Sequence, residues 1–234
     1  MSDPIRLSEI ATRLGGRADV VGGDPVITDV THDSREVGPG CLFVAIPGAH
    51  VDGHDFVQRA FASGAAAVAV ERDVVGPSQL LVPNARVALP TIAAAVHRDP
   101  SLRLPVVGVT GTNGKTTVTY LLEQIVIADG QTPGVVGTIG ARIGDTAASV
   151  SRTTPEASML QRLLAEMIDA GVDVAAIEVS SHALSLHRVD AIRFRVAAFT
   201  NLMQDHLDFH GDMEGYFAAK AALFTPDRAD HCVV

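Results

Sequence analysis

Pro105-Val106-Val107-Gly108-Val109-Thr110-Gly111-Thr112-Asn113-Gly114-Lys115-Thr116-Thr117 decides how this chain folds. A β-branched apolar run passes into a short glycine loop, then into Lys-Thr-Thr and an amphipathic stretch. That order predicts a strand, a phosphate-cradling turn and a helix N-terminus in succession. Loop amides from Gly111, Thr112, Asn113 and Gly114 through Thr117, the helix dipole and Lys115 would converge on the polyphosphate of ATP or GTP. Lys115 would neutralise β/γ charge, and Thr116 would offer its hydroxyl to Mg²⁺. The strict phosphate-loop pattern needs glycine where Val109 stands, so the loop is a variant. The plain alternative is a glycine-rich turn without a ligand, and Gly-Lys-Thr after a β-branched strand speaks against it.

Working outward, the residues after Val106 keep a strand–helix rhythm. Strands are expected at Val106–Thr110, Thr132–Val136, Ile139–Ile143, Val174–Val179 and Val196–Thr200. Helices are expected at Thr116–Asp129, Pro155–Ala170 and Glu214–Phe224. Short, nearly all-apolar strands alternating with helices predict a parallel sheet covered on both faces, with ligands beyond the strand carboxyl ends.

The block before Leu104 mixes types. Helices are expected at Leu7–Leu14, His54–Ser63 and Ala85–His97, and strands at Val26–Val30, Cys41–Ile46, Ala66–Val70 and Gln79–Val82. The expected fold is therefore α/β: a small mixed α/β N-terminal domain over 1–104, then a parallel-sheet domain of phosphate-loop type over 105–234.

The 234 residues suffice for two cores. A net charge of −9 argues against non-specific nucleic-acid or membrane-surface binding. The N-terminus lacks an apolar signal core and no apolar run is long enough to span a bilayer, so a cytoplasmic protein is expected. Cys41 and Cys232 have no metal spacing and read as reduced thiols. Monomer is the default expectation. Asp230-His231-Cys232-Val233-Val234 reads as the opening of a buried strand, which predicts a piece of a longer, truncated domain.

Three further motifs follow strand ends or sit on helices. Glu178 ends an apolar strand, where an acid is costly to bury unpaired. A Mg²⁺ ion would compensate it, and so would a lysine or arginine. Ser180-Ser181-His182 follows directly. A serine-hydrolase reading is weak there, because adjacent strand side chains point to opposite faces and no G-x-S-x-G elbow is present. Asp205-His206-Leu207-Asp208-Phe209-His210 gathers two acids and two histidines. His206 could ligate a metal through a neutral nitrogen, although a zinc site lacks further close ligands, and a capped polar loop is the bland alternative. Lys220, on an alanine-rich helix, reads by itself as a solvated surface residue.

Together these segments resemble the Mur ligase family of ATP-dependent amide-bond formers in peptidoglycan precursor synthesis. Gly111–Thr117 looks like the family's ATP loop. Glu178-Val179-Ser180-Ser181-His182-Ala183-Leu184, Phe199-Thr200-Asn201-Leu202, Asp205-His206-Leu207-Asp208 and Ala218-Ala219-Lys220 stand in its order and spacing. Ser-Ser-His-Ala-Leu and Thr153-Thr154-Pro155-Glu156 resemble the MurE branch. Asp33-Ser34-Arg35, Gly40-Cys41-Leu42-Phe43-Val44-Ala45 and Asp52-Gly53 look like that branch's UDP-binding domain.

The resemblance implies roles. Lys115 and the loop amides hold ATP as co-substrate, and Thr116 and Glu178 bind one Mg²⁺. His206 helps bind a second, with Lys220 as an N-carboxylated lysine. Ser34 and the loop around His50 meet the uridine diphosphate. Thr153, Thr154, Ser180 and Arg188 hold the muramoyl peptide, while Arg152 and Leu186 stand where some relatives carry asparagine and glutamine. The partners implied are UDP-N-acetylmuramoyl-L-alanyl-D-glutamate and a diamino acid, meso-diaminopimelate or L-lysine, joined through an acyl phosphate. Nothing here corresponds to the family's amino-acid-selecting third domain, so the fragment alone is expected to bind without full turnover. A GTPase would carry an Asn-Lys-x-Asp motif, which is absent, and a kinase needs no long preceding block. A non-catalytic, degenerate UDP-substrate or nucleotide-binding remnant is the remaining alternative; retention of Lys115, Glu178, His206 and Lys220 argues against it.

Overall fold

The computed structural model describes residues 4–48, 50–148, 150 and 152–234. The chain divides into two compact units, Met1–Asp99 with Ala157–Gln161 and Pro100–Glu156 with Arg162–Val234.

The first unit runs β1 (Ile5–Arg6), α1 (Leu7–Arg13), β2 (Asp19–Gly22), β3 (Val26–Ile27), β4 (Asp29–Thr31) and β5 (Cys41–Val44). A 3₁₀ turn at Gly53–Phe56 leads into α2 (Val57–Ala62), β6 (Ala67–Val70), β7 (Ser78–Leu81) and α3 (Ala85–Val96). Its main sheet has the order β2-β7-β6-β5-β4, parallel from β4 to β7 with β2 antiparallel at one edge. Strand alternation divides its core. Leu42, Val44, Ala67 and Ala69 face Leu7, Ile10, Leu89 and Ile92, while Phe43, Val68 and Val70 face Val57 and Ala60.

The strand expected over Val26–Val30 is split. Val26–Ile27 pairs with β1 in a separate two-stranded sheet, and Asp29–Thr31 joins the main one. Tertiary pairing overrides a continuous propensity signal here. The helix expected from His54 begins as the 3₁₀ turn, because the Asp52 carboxylate caps His54 N–H.

The second unit runs β8 (Val106–Thr110), α4 (Lys115–Ala128), β9 (Pro133–Gly137), β10 (Gly140–Ile143), β11 (Thr146–Ala148), α5 (Ala157–Asp169, of which residues 157–161 fall in the first unit) and β12 (Val174–Glu178). It continues through α6 (Ser181–Ser185), β13 (Phe194–Phe199), α7 (Leu207–His210), α8 (Met213–Ala221) and β14 (Ala229–Val233). A seven-stranded sheet has the order β11-β10-β9-β12-β8-β13-β14. Its strands from β9 to β14 are parallel, and β10 and β11 extend it as an antiparallel meander. Val106, Val109, Val135, Val136, Ala175, Ile177 and Ala197 are buried in it, and Leu160, Leu163, Leu164 and Met167 of α5 are buried too.

Three expectations are corrected here. Ser180 does not continue a strand: it caps α6, accepting Ala183 N–H on its hydroxyl, so Ser181 and His182 are helical. α4 is not an ordinary amphipathic helix, since its buried positions are Thr119 and Glu123 while Leu121 and Ile125 are exposed. Glu123 can be buried because Arg142 of β10 pairs with it, Arg142 itself lying over the Tyr120 ring. The strand near Val234 forms as β14, but at the end of the sheet order. Only Ala229 is buried along it, since among the described residues no strand pairs with its far side.

Candidate nucleotide site at the strand ends

Parallel strand ends bring the chemistry of the second unit together. Register sets Glu178 of β12 beside Val109 of β8, and Phe199 of β13 beside Thr110, so the loops after these strands share one rim. Gly114 precedes α4 at φ 82°, a left-handed turn that glycine adopts without a Cβ clash. Lys115 then folds back over the loop, donating to Gly111 O and Thr112 O at 2.9 Å each. Burial lowers its pKa, opposed by Glu178 and Asp205.

Lys220 reaches the same place from α8. It is 1 % exposed, donates to Gly111 O at 2.9 Å, and has its ammonium 4.5 Å from the Tyr216 ring centroid. Two lysines therefore share one carbonyl. Burial first, and the Lys115 charge second, push Lys220 down to about 8. The surface reading of Lys220 fails because α8 turns this residue inward beside Tyr216, itself 1 % exposed.

Glu178 is buried, yet among the described residues neither a lysine nor an arginine forms an ion pair with it. Its Oε1 accepts Thr138 N–H at 3.0 Å, and its Oε2 accepts the hydroxyls of Thr116 and Thr138, both at 3.0 Å. Neutral donors satisfy the carboxylate without cancelling its charge. Gly137 leaves room for this: a Cβ there would stand 2.1 Å from Glu178 Oε1. Gly137→Ala is expected to displace the carboxylate and lower the melting temperature by several degrees, about 2–4 °C per kcal/mol in a chain this size. A scan that matches the parent would show that the carboxylate is free to move.

The same strand end holds the next cluster. Thr154 Oγ1 donates to Glu178 O at 2.7 Å and accepts Ser180 N–H at 3.1 Å. Thr153 and Thr138 hydroxyls meet at 3.1 Å. Arg188 donates to Thr154 O at 3.1 Å and its Nε lies 3.0 Å from a Glu156 carboxylate oxygen, both side chains being buried. Thr153, Thr154, Ser180 and Arg188 are thus knitted to Glu178.

His206 stands at φ 52° before α7 and is largely exposed, with Nε2 3.4 Å from Asp205 Oδ2. Its ring packs edge-on to His182 at 4.7 Å and lies 6.3 Å from Tyr216, the ring that also covers Lys220. His210 shares a 2.9 Å hydrogen bond with Ser181. Burial, with the neighbouring histidines second, lowers the pKa of His182 and of His210. Thr138, Tyr216 and Asn201 were missed as site residues in the sequence. Thr138 had one signal, its place just past a strand end, and Asn201 lay unassigned inside a quoted motif.

Ser34 and His50 belong to the first unit. Ser34 is half-buried between Asp33 and Arg35, and His50 is exposed. Arg35 bonds the Asp33 carboxylate and holds it at about 2. A depressed acid stabilises the fold above its unfolded value and loses that contribution as pH falls toward about 2. Carbon-detected NMR titration of Asp33 is expected to give that value, and Arg35→Ala is expected to return it toward the ordinary carboxylate range. An unmoved titration would remove Arg35 as the cause.

A hard divalent cation fits the Thr116–Glu178 pair: oxygen donors converge there, and the hydrogen-bond donors to the buried carboxylate are neutral. Lys220 as an ammonium cannot ligate a cation; as a carbamate it would present oxygens. Among the described residues no group of three or more His, Cys, Asp or Glu is arranged to hold a metal. No helix among them is long and apolar enough to cross a membrane.

A parallel sheet whose Gly-Lys-Thr loop caps the strand next to an acid-ended strand defines the phosphate-loop class of α/β folds. Residues 109–234 match the Mur ligase middle domain, and residues 26–108 match the Mur ligase family catalytic domain. The chain belongs to the Mur ligase family.

Curated relatives include the UDP-N-acetylmuramoyl-L-alanyl-D-glutamate--2,6-diaminopimelate ligase of Geobacillus thermodenitrificans. It is 45% identical over 221 residues, which cover 94% of this chain and 45% of the relative. The ligase of the same name from Streptomyces coelicolor is 46% identical, covering 97% of this chain and 46% of its own length. A solved structure bearing that ligase name superposes with TM-score 0.80 and 27% identity, over 99% of this chain and 47% of the other. The MurF ligase of Thermotoga maritima in complex with ADP shares the fold at TM-score 0.61 and 22% identity, over 88% and 49%. The chain spans about half the length of the curated relatives it matches.

Proposed function

We propose that this chain forms the UDP-substrate unit and the ATP unit of a cytoplasmic amide ligase that acts in peptidoglycan precursor synthesis. In this reading it joins a diamino acid to UDP-N-acetylmuramoyl-L-alanyl-D-glutamate. The observation that carries the reading is the convergence of Lys115 and Lys220 on one loop carbonyl, beside the buried Glu178 carboxylate, whose hydrogen-bond donors are neutral. Lys115, an ammonium with no carboxylate bonded to it among the described residues, suits this place to a polyphosphate.

The chemistry follows from these residues. A carboxylate is a poor electrophile, so the substrate carboxylate attacks the γ-phosphorus of ATP. The bond from that phosphorus to the ADP oxygen breaks, leaving an acyl phosphate and ADP. Lys115 and the first-turn amides of α4 stabilise charge on the transferring group. The incoming amine then adds to the acyl carbon, loses a proton, and expels phosphate as the amide forms. Thr116 and Glu178 would hold Mg²⁺, which when bound screens the phosphate charges. His206 would support a second ion, with a carboxylated Lys220. Ser34 and His50 would receive the uridine diphosphate, and Thr153, Thr154, Ser180 and Arg188 the peptide.

Lys220 suits carboxylation because its lowered pKa makes a neutral amine accessible near neutral pH. Its nitrogen bonds carbon dioxide and releases a proton. With ¹³C-bicarbonate, a carbamate resonance is expected in the parent chain and not in Lys220→Ala. Its absence from the parent would remove the carbamate from the reading.

The function itself is tested by ADP and ATP titration of the chain, and by UDP-muramoyl-dipeptide titration. Saturable binding of both supports the ligase reading. Binding of neither would overturn it, and binding without phosphate release in the presence of an amino acid, in the full-length protein, would favour a non-catalytic remnant.

A further inference from the structure

We propose that Asn201 is a positioning residue that sets the shape of the 111–117 loop before a nucleotide arrives. The inference rests on reading that loop as a phosphate site. The Asn201 carbonyl accepts Thr112 N–H at 2.9 Å, its Oδ1 accepts Asn113 N–H at 3.0 Å, and its Nδ2 donates to Asn113 O at 3.1 Å. Thr200 adds a hydroxyl donor to Asn113 O at 2.6 Å. The β8–β13 ladder, which continues through Thr200 N–H to Thr110 O, is thereby carried into the loop partly by a side chain.

Two consequences bear on an anion. The amides of Thr112 and Asn113 are engaged by Asn201 and so do not face a phosphate, whereas the first-turn amides of α4, which no intrahelical carbonyl reaches, can. The loop carbonyls are also all engaged. Gly111 O takes both lysines, Thr112 O takes Lys115, Asn113 O takes Thr200 and Asn201, and Gly114 O takes Val118 N–H. Their negative ends are bound to donors rather than left to repel a phosphate.

Asparagine is the side chain this requires. It supplies one acceptor and one donor at the spacing of a peptide unit, whereas aspartate lacks the donor and alanine lacks both. The 200–201 backbone comes close enough that a Cβ on Gly111 would stand 1.9 Å from Thr200 Oγ1 and 3.1 Å from Asn201 N and O. Asn201 itself is not assigned contact with nucleotide; it acts through Thr112 and Asn113.

The test compares the parent chain with Asn201→Ala, Asn201→Asp, Thr200→Val and Lys115→Ala. ADP with Mg²⁺ is titrated by calorimetry, and amide exchange of the 109–117 segment is followed without ligand. Asn201→Ala is expected to weaken ADP binding by about tenfold and to speed exchange at Thr112 and Asn113. Asn201→Asp is expected to weaken it further, since a carboxylate would face the Asn113 carbonyl beside the phosphate site. Thr200→Val is expected to give the smallest loss. It keeps the test open if the Asn201 variants do not fold, because binding and exchange equal to the parent would then count against bracing of the loop by residues 200–201. If Lys115→Ala loses ADP while Asn201→Ala binds it as the parent does, this inference is overturned and the phosphate reading stands. A parent chain that binds no ADP overturns both.

Discussion

Lys115→Ala is expected to lower the affinity of the chain for ATP and ADP by about 100-fold, equivalent to about 2.7 kcal/mol. Its ammonium is half-buried, bonds Gly111 O and Thr112 O, and has no carboxylate bonded to it. A charge-assisted hydrogen bond is worth roughly 1.5–3 kcal/mol, and a partly dehydrated ammonium meeting a phosphate reaches the upper part of that range. Thr112 O would lose its lysine donor at the same time, leaving a negative dipole end beside the anion, while Gly111 O would keep Lys220. Lys115→Arg is expected to restore little, because a planar fork does not replace a compact point charge in a closed turn. Calorimetric titration with ADP decides it. An affinity within a few-fold of the parent would mean that this loop does not receive the phosphates.

The second large effect concerns Glu178. Glu178→Gln is expected to destabilise the second unit by about 2–3 kcal/mol, the range for losing bonds to a charged acceptor. The carboxylate now accepts from Thr138 N–H and from the hydroxyls of Thr116 and Thr138. An amide nitrogen would turn a donor toward at least one of these donors. The melting temperature is expected to fall by about 4–12 °C, taking 2–4 °C per kcal/mol. Mg²⁺ is expected to strengthen nucleotide binding in the parent and not in the variant. If Mg²⁺ strengthens binding equally in both, Glu178 holds no ion. If the melting temperature is unchanged, its donors are satisfied by solvent in the variant.

Sequence reasoning reached the elements whose signals are local. Val106–Thr110 was expected as a strand and is one, because a β-branched run between proline and glycine leaves little alternative. α5 kept its helical periodicity, with Leu160, Leu163, Leu164 and Met167 buried. The small helix α6 was missed because its start depends on one serine hydroxyl, which reads equally well as a polar strand end. The break between β3 and β4 was missed because each half pairs with a different strand remote in sequence. That pairing is not visible in a window of neighbouring residues.

By itself the sequence determined the longer strands and helices of the second unit, the glycine loop at Gly111–Thr117 and the acid that ends β12. Those follow from backbone propensity, hydrophobic period and the short reach of a turn. Only the tertiary structure decided that Lys220 is buried, that Glu178 is held by three neutral donors, and that Asn201 braces the loop. Burial, charge compensation and hydrogen-bond partnership depend on which distant strand ends lie side by side. That adjacency is fixed by sheet register, and no stretch of neighbouring residues encodes it.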